Sequence, residues 1–151
     1  MTYEELKASV TSLFPAVTYD ETGEFLNAQC SSAEFRQLMK ALRHNPDLEF
    51  NYLFCLTCID WKTHLMMVYH LMSRTHKHVM VLKVKLDDTV KPETETVSDI
   101  WKTATFHERE VFDLFGVNFK NHPDMRRIFL DDAWDGYPLR KNYVDENMIS
   151  I

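Results

Sequence analysis

Residues 48–86 read LEFNYLFCLTCIDWKTHLMMVYHLMSRTHKHVMVLKVKL. Two short polar breaks, Trp61-Lys62-Thr63 and Ser73 to Lys77, divide this apolar stretch into three runs of strand length. β-Branched and aromatic residues bounded by such breaks spell three strands joined by tight connections. In Leu48 to Ile59, alternation puts Phe50, Tyr52, Phe54 and Leu56 on one face. Leu65 to Met72 is apolar on both faces, which places it centrally in a sheet. His78 to Leu86 alternates Met80, Leu82, Val84 and Leu86 with Lys83 and Lys85, so one end of it meets water.

Upstream, Thr2 to Phe14 has helical spacing, with Leu6, Val10, Leu13 and Phe14 on one face. A Thr2/Glu5 capping box opens it and Pro15 stops it. Glu24 to Cys30 reads as a short strand. Ser31 with Glu34 forms a second capping box before a helix whose Phe35, Leu38, Met39 and Leu42 share a face, and Asn45-Pro46 ends it. Downstream, Asp87 to Thr96 is polar, contains Pro92 and reads as a loop. Ser98 to Phe115 is again helical, with Gly116 as its C-terminal stop. The expected class is α+β, with a mixed or antiparallel sheet of about four strands and helices packed on it. The first strand–helix–strand unit has the option of a right-handed crossover. Residues 1–120 would form the domain, and 121–151 an extended docking tail.

At 151 residues the chain fits one domain with a real core. The net charge of −6, with no basic face, disfavours nucleic acid and anionic membranes. No apolar run is long enough to span a bilayer. The acidic, helix-like MTYEELKASV start is unlike a signal or transit peptide. Three glycines leave no phosphate cradle or dinucleotide loop.

The chemistry concentrates between His107 and Tyr143: HEREVFDLFGVNFKNHPDMRRIFLDDAWDGYPLRKNY. Charges and aromatics alternate here, and little of it makes a core by itself, so it is expected to dock on something else. On the helix, Ile100, Trp101, Ala104, Val111, Phe112, Leu114 and Phe115 form an apolar arc. Arg109 and Asp113 lie opposite, four apart, and are expected to pair. Glu108 falls inside the apolar arc. A carboxylate there needs a partner, and the tail supplies Arg126, Arg127 and Arg140. Glu108 is therefore expected to pair with a tail arginine as a latch; the functional alternative is a proton-handling acid, with His107 or His122 as its base. Phe106 falls on the polar side, either through a kink near Thr105 or as a contact for another protein.

These residues carry a resemblance. His107-Glu108-Arg109-Glu110, Asp113-Leu114-Phe115-Gly116, His122-Pro123-Asp124-Met125-Arg126-Arg127-Ile128, Asp132 and Gly136-Tyr137-Pro138-Leu139-Arg140-Lys141 resemble the signature of the C subunit of bacterial NADH–quinone oxidoreductase, respiratory complex I. Asn51-Tyr52-Leu53, Ile59-Asp60-Trp61 and Asp99-Ile100-Trp101 fit the same family more weakly. Met125 stands where the family usually has Leu, a volume-conserving change. Some members carry a long tail or a fused downstream subunit, and this chain is expected to be of the short kind.

The resemblance implies a cofactor-free structural subunit at the cytoplasmic face of the bacterial inner membrane, peripheral to it. Its expected neighbours are the quinone-module subunit that resembles a hydrogenase large subunit and the cluster-bearing subunits. FMN, iron–sulfur clusters and quinone are expected elsewhere in the complex. Relatives in membrane-bound nickel–iron hydrogenases and coenzyme-F420 dehydrogenases give an alternative setting for the same scaffold role. Glu108, Arg109, Arg126, Arg127 and Arg140 are the expected electrostatic frame. Phe106, Phe119, Trp134, Tyr137 and Leu139 are the expected partner-facing or tail-anchoring apolar set, and His122 is a candidate helix cap or partner contact.

Other patterns point to ordinary structure. Cys55 and Cys58 form a C-x-x-C in a strand, where residues three apart face opposite ways, and Cys30 cannot complete a zinc or iron–sulfur set with them. His64, His70, His76 and His78 lack a nearby acid and read as edge or turn residues. Asp131, Asp132 and Asp135 match no calcium loop; Asp135-Gly136 reads as a turn, and Asp131 and Asp132 are near enough in sequence to pair with Arg126 and Arg127.

Overall fold

The computed structural model describes residues 1–149. Helix α1 (Tyr3–Leu13) carries the expected capping box: Thr2 Oγ1 accepts from the Glu5 amide, and the Glu5 side chain accepts from the Thr2 amide. Strands β1 (Thr18–Asp20) and β2 (Leu26–Cys30) form an antiparallel pair. Helix α2 (Ser32–His44) buries Phe35, Leu38, Met39 and Leu42 as expected, but the Ser31 side chain makes no cap bond. Three strands follow, β3 (Tyr52–Asp60), β4 (Leu65–Met72) and β5 (Val79–Leu86).

The sheet has five strands in the order β1-β2-β5-β4-β3, one more than expected because the short β1 adds an edge. The three central runs form the antiparallel β3-β4-β5 meander. β2 joins it in parallel with β5 rather than with β3, the strand after its helix, so the sheet is mixed. Apolar β4 is an interior strand, between β3 and β5.

One face assignment is corrected. A bulge between Leu53 and Cys55 shifts the register of β3. An extra residue on one strand reverses which side chains face inward beyond it. Leu53, Leu56, Cys58 and Asp60 point into the core, while Tyr52 and Phe54 do not; Phe50, just before the strand, is buried.

After β5 the chain adds a two-stranded parallel ribbon, β6 (Glu93–Glu95) with β7 (Asn118–Lys120), on either side of helix α3 (Ala104–Phe115). The segment expected to be loop thus contains a strand. The helix expected from Ser98 begins at Ala104. Residues 97–103 make turns instead, anchored by Trp101, whose indole N–H donates to the Phe50 carbonyl at 2.9 Å. Gly116 ends α3 in the left-handed conformation with φ +78°, as its position implies. A Cβ here would meet the Tyr137 ring at 2.7 Å, so glycine also lets the tail lie against the helix end. Beyond β7 no helix or strand forms through residue 149; the segment crosses α3 as a series of turns.

Candidate functional site

Three core carboxylates receive or flank the tail: Asp60 at the end of β3, and Glu108 and Asp113 on α3. All three are buried. Each solves the cost of a buried charge differently.

Asp113 is the most fully bonded. Its Oδ1 accepts from Arg127 Nη1 at 3.0 Å. Its Oδ2 accepts from the successive amides of Ile128, Phe129 and Leu130 at 3.3, 2.8 and 3.1 Å. Consecutive N–H groups converging on one oxygen make an anion nest out of the tail backbone. Burial pushes the Asp113 carboxyl up, but the bonds from Phe129, Arg127, Leu130 and Ile128 together outweigh it and hold it below its ordinary value. Arg127 also donates to the carbonyls of Asp113, Trp134 and Gly136, and its guanidinium lies 5.0 Å from the Tyr137 ring centre.

Asp60 precedes the β3–β4 turn. One oxygen accepts from the Lys62 amide in that turn; the other accepts from Arg140 Nε at 3.1 Å and the Lys141 amide at 2.9 Å. Arg140 spends its remaining donors on the carbonyls of Phe115 and Thr89. Burial raises the Asp60 carboxyl, and the Lys141, Lys62 and Arg140 donors reverse that to a net lowering.

Glu108 is different. It is fully buried, as its place on the apolar arc implied, but no tail arginine reaches it; that expectation is corrected. Its carboxylate accepts from the Thr96 hydroxyl at 2.6 Å and the Val97 amide at 2.8 Å, and lies 3.7 Å from His122 Nε2. Burial dominates these bonds and pushes the carboxyl up to about 7. The arginines are elsewhere because Asp113 and Asp60 stand nearer to where the tail crosses the helix end.

Arg109 and Asp113 do not pair with each other, because the tail covers the face of the helix that spacing alone leaves open. Arg109 is buried and donates to the carbonyls of Arg126 and Arg127 at 3.2 and 3.0 Å. Arg126 extends outward, 68% exposed, with Asp124 as its partner. Asp131 and Asp132, expected near the arginine pair, are exposed in a turn. His122 caps nothing: Asp124 N–H donates to its Nδ1, and its Nε2 lies 3.0 Å from the Thr105 carbonyl.

The apolar set divides in two. Phe119 is a core residue at 2% exposure, not a partner-facing one, because β7 turns it inward. Tyr137 anchors the tail between Gly116, Phe112 and Arg127. Phe106, Trp134 and Leu139 are exposed, at 61%, 40% and 52%. Phe106 sits in the first turn of α3, so its exposure needs no kink. Phe129 and Trp61 are also exposed; pattern does not single them out, since isolated aromatics in turns show no periodicity.

Cys30 and Cys58 are buried, and burial pushes both thiols up to about 12. Among the described residues no three His, Cys, Asp or Glu side chains stand close enough to share a metal, so this donor set does not fit an iron–sulfur cluster. His76 and His78 stack, and each bonds a backbone carbonyl, of Pro46 and Leu48.

The class is thus a mixed-sheet α+β domain whose C-terminal segment is strapped over its last helix and sheet by buried ion pairs. The chain belongs to the family described as the 30 Kd subunit of respiratory-chain NADH dehydrogenase, whose model matches residues 28–147. It is 47% identical over 111 residues to the C/D subunit of an NADH-quinone oxidoreductase from Phocaeicola vulgatus, covering 73% of this chain and 21% of that protein. It is 44% identical over 104 residues to the C subunit of the same kind of enzyme from Chloroherpeton thalassium, covering 68% of this chain and 43% of that one. The chain therefore spans less than half the length of these two relatives. Among solved structures it resembles a chain of the membrane-bound sulfane sulfur reductase, an archaeal respiratory membrane complex. That match has a TM-score of 0.81 and 26% identity, over 93% of this chain and 85% of that one.

Proposed function

We propose that this chain is a cofactor-free structural subunit in the peripheral arm of a proton-translocating NADH–quinone oxidoreductase. It supports electron transfer from NADH through iron–sulfur clusters to quinone by holding the quinone-site subunit and the cluster-bearing subunits in register. The chain lies on the cytoplasmic face of the bacterial inner membrane, peripheral to it. The observation that carries this reading is the strapped tail: its charged anchors point inward to Asp60 and Asp113, while Phe106, Phe129, Trp134 and Leu139 remain exposed along it and α3. Large aromatics on a rigid, polar-rimmed surface are what a partner protein grips. No described helix is long and apolar enough to cross a membrane, which agrees with a peripheral place. A stand-alone acid/base enzyme would need Glu108 and His122 open to substrate, and both side chains are fully buried.

The sulfane sulfur reductase likeness favours a second setting, the same scaffold in another respiratory membrane complex, including the hydrogenase and coenzyme-F420 types. Affinity purification of the chain from gently solubilised membranes separates the two. NADH-oxidising, FMN-bearing subunits should co-purify under the first reading; a nickel–iron protein without them would favour the second. With Trp134→Ala and Leu139→Ala together, assembled complex should fall at least several-fold at an unchanged rate per assembled complex. Normal assembly with collapsed quinone reduction would refute the scaffold role.

A further inference from the structure

Glu108 lacks what Asp60 and Asp113 have, a guanidinium within bonding distance. The groups facing it come from every element around it. Arg36 of α2 is committed to Asp99 and to the Thr96 carbonyl. The segment after β6 supplies the Thr96 hydroxyl, the Val97 amide and, farther off, the Asp99 carboxylate. From β4, Tyr69 brings a buried hydroxyl that has no hydrogen-bond partner. The tail brings His122.

Both ring nitrogens of His122 already have backbone partners other than Glu108. The Asp124 amide donates to Nδ1, so that nitrogen must stay a bare acceptor. The other nitrogen, Nε2, then carries the proton and directs it to the Thr105 carbonyl, with the carboxylate 3.7 Å away. Relief of the buried charge falls to Glu108 itself. The neighbouring hydroxyls suit that: Thr96 Oγ1 lies 2.6 Å from Glu108 Oε2 and 2.8 Å from Ser98 Oγ. Thr96 is able to reverse, accepting from a protonated carboxyl and donating to Ser98.

We propose that Glu108 and His122 form a proton-linked catch, in which seating the His122-Pro123-Asp124 corner over α3 draws one solvent proton onto Glu108. This concerns the chain's own arm and holds whichever complex receives it. The sign follows from linkage. A carboxyl whose pKa is higher when the corner is seated favours the seated form at low pH and weakens it as pH rises. Between the free value of 4.5 and the buried value of about 7, the equilibrium for seating should fall by up to about tenfold from pH 6 to 8.

The test uses the full chain labelled with carbon-13 at glutamate. The Glu108 carboxyl resonance, assigned through its own backbone, should titrate near neutrality. Amide hydrogen exchange at residues 121–127, corrected for the intrinsic pH dependence of exchange, should lose protection by up to about tenfold from pH 6 to 8. In Glu108→Gln that loss should disappear. Titration of Glu108 below pH 5, or protection that does not change with pH in the wild-type chain, would overturn the catch. So would an unchanged slope in Glu108→Gln. The first two readings need no variant and stand even if Glu108→Gln folds poorly.

Discussion

The sheet domain and the tail are held by opposite physics. In the domain, Phe35, Leu38, Tyr69, Leu82 and their neighbours exclude water in one apolar cluster that helices share with a five-stranded sheet. Among its described residues the tail has no helix or strand and few fully buried apolar groups. It is held by charge-assisted bonds: Arg127 and three amides on Asp113, Arg140 and Lys141 on Asp60, and the buried Arg109 on two tail carbonyls. The hydrophobic region tolerates small adjustments because its attraction is non-directional. The tail cannot, because each anchor is one geometry with several bonds, and losing one side leaves a buried charge. Such a strap sets a surface at a fixed position while leaving its own aromatics free to meet neighbours.

The largest effect should come from breaking the apolar region. Phe35→Ala empties a site at 0% exposure, 5.0 Å from the Tyr69 ring, and should cost about 3–5 kcal/mol of global stability. Urea unfolding followed by circular dichroism should show it as a lower midpoint for the whole chain. Should the sheet prove indifferent to this change, the division between regions would be mistaken. Asp113→Asn breaks the tail selectively, removing the charge and setting an NH2 donor against either Arg127 or the amides of Ile128 to Leu130. It should cost about 3 kcal/mol, and limited proteolysis should then cut between residues 121 and 149 while the sheet persists. Its pH dependence has the opposite sign to that of Glu108. The Asp113 carboxyl is held below 3.8, so the contribution is complete above that value and lost as pH falls through the lowered one. Acid should therefore release the Asp113 clasp, and alkali the Glu108 catch.

The two regions were also unequally legible. Alternation placed β2 and β5, an apolar run between two polar breaks placed β4, and helical spacing with the Thr2/Glu5 box placed α1 and the buried face of α2, because these patterns reflect a local rule. Three-residue strands such as β1, β6 and β7 are too short to display a period. The bulge at Leu53/Cys55 broke the alternation of β3, and no residue there announces one. On α3, the anomaly of Glu108 was visible as a carboxylate on an apolar arc. The identity of its partners was not, because Thr96, Val97 and His122 are brought there by the β6–β7 ribbon and the tail, and only tertiary structure sets that path. Asp113 seemed exposed because the tail that covers it carries no periodic pattern. The family signature marked the charged helix and both arginine-bearing segments as belonging together, but not which acid each arginine meets.

The smallest effect separates holding the tail from using it. Arg126 and Arg127 are adjacent, yet Arg127 is nearly buried against Asp113 whereas Arg126 extends into solvent beside Asp124. An exposed ion pair of this kind contributes little, so Arg126→Gln should change the stability of the isolated chain by no more than about 0.5 kcal/mol. If the exposed side of the strap is the surface that neighbours grip, the same substitution should still lower the amount of assembled complex, seen by native electrophoresis of solubilised membranes. A stability loss as large as that of Asp113→Asn would make Arg126 part of the clasp. Unchanged stability and unchanged assembly together would confine the gripping surface to the aromatic residues.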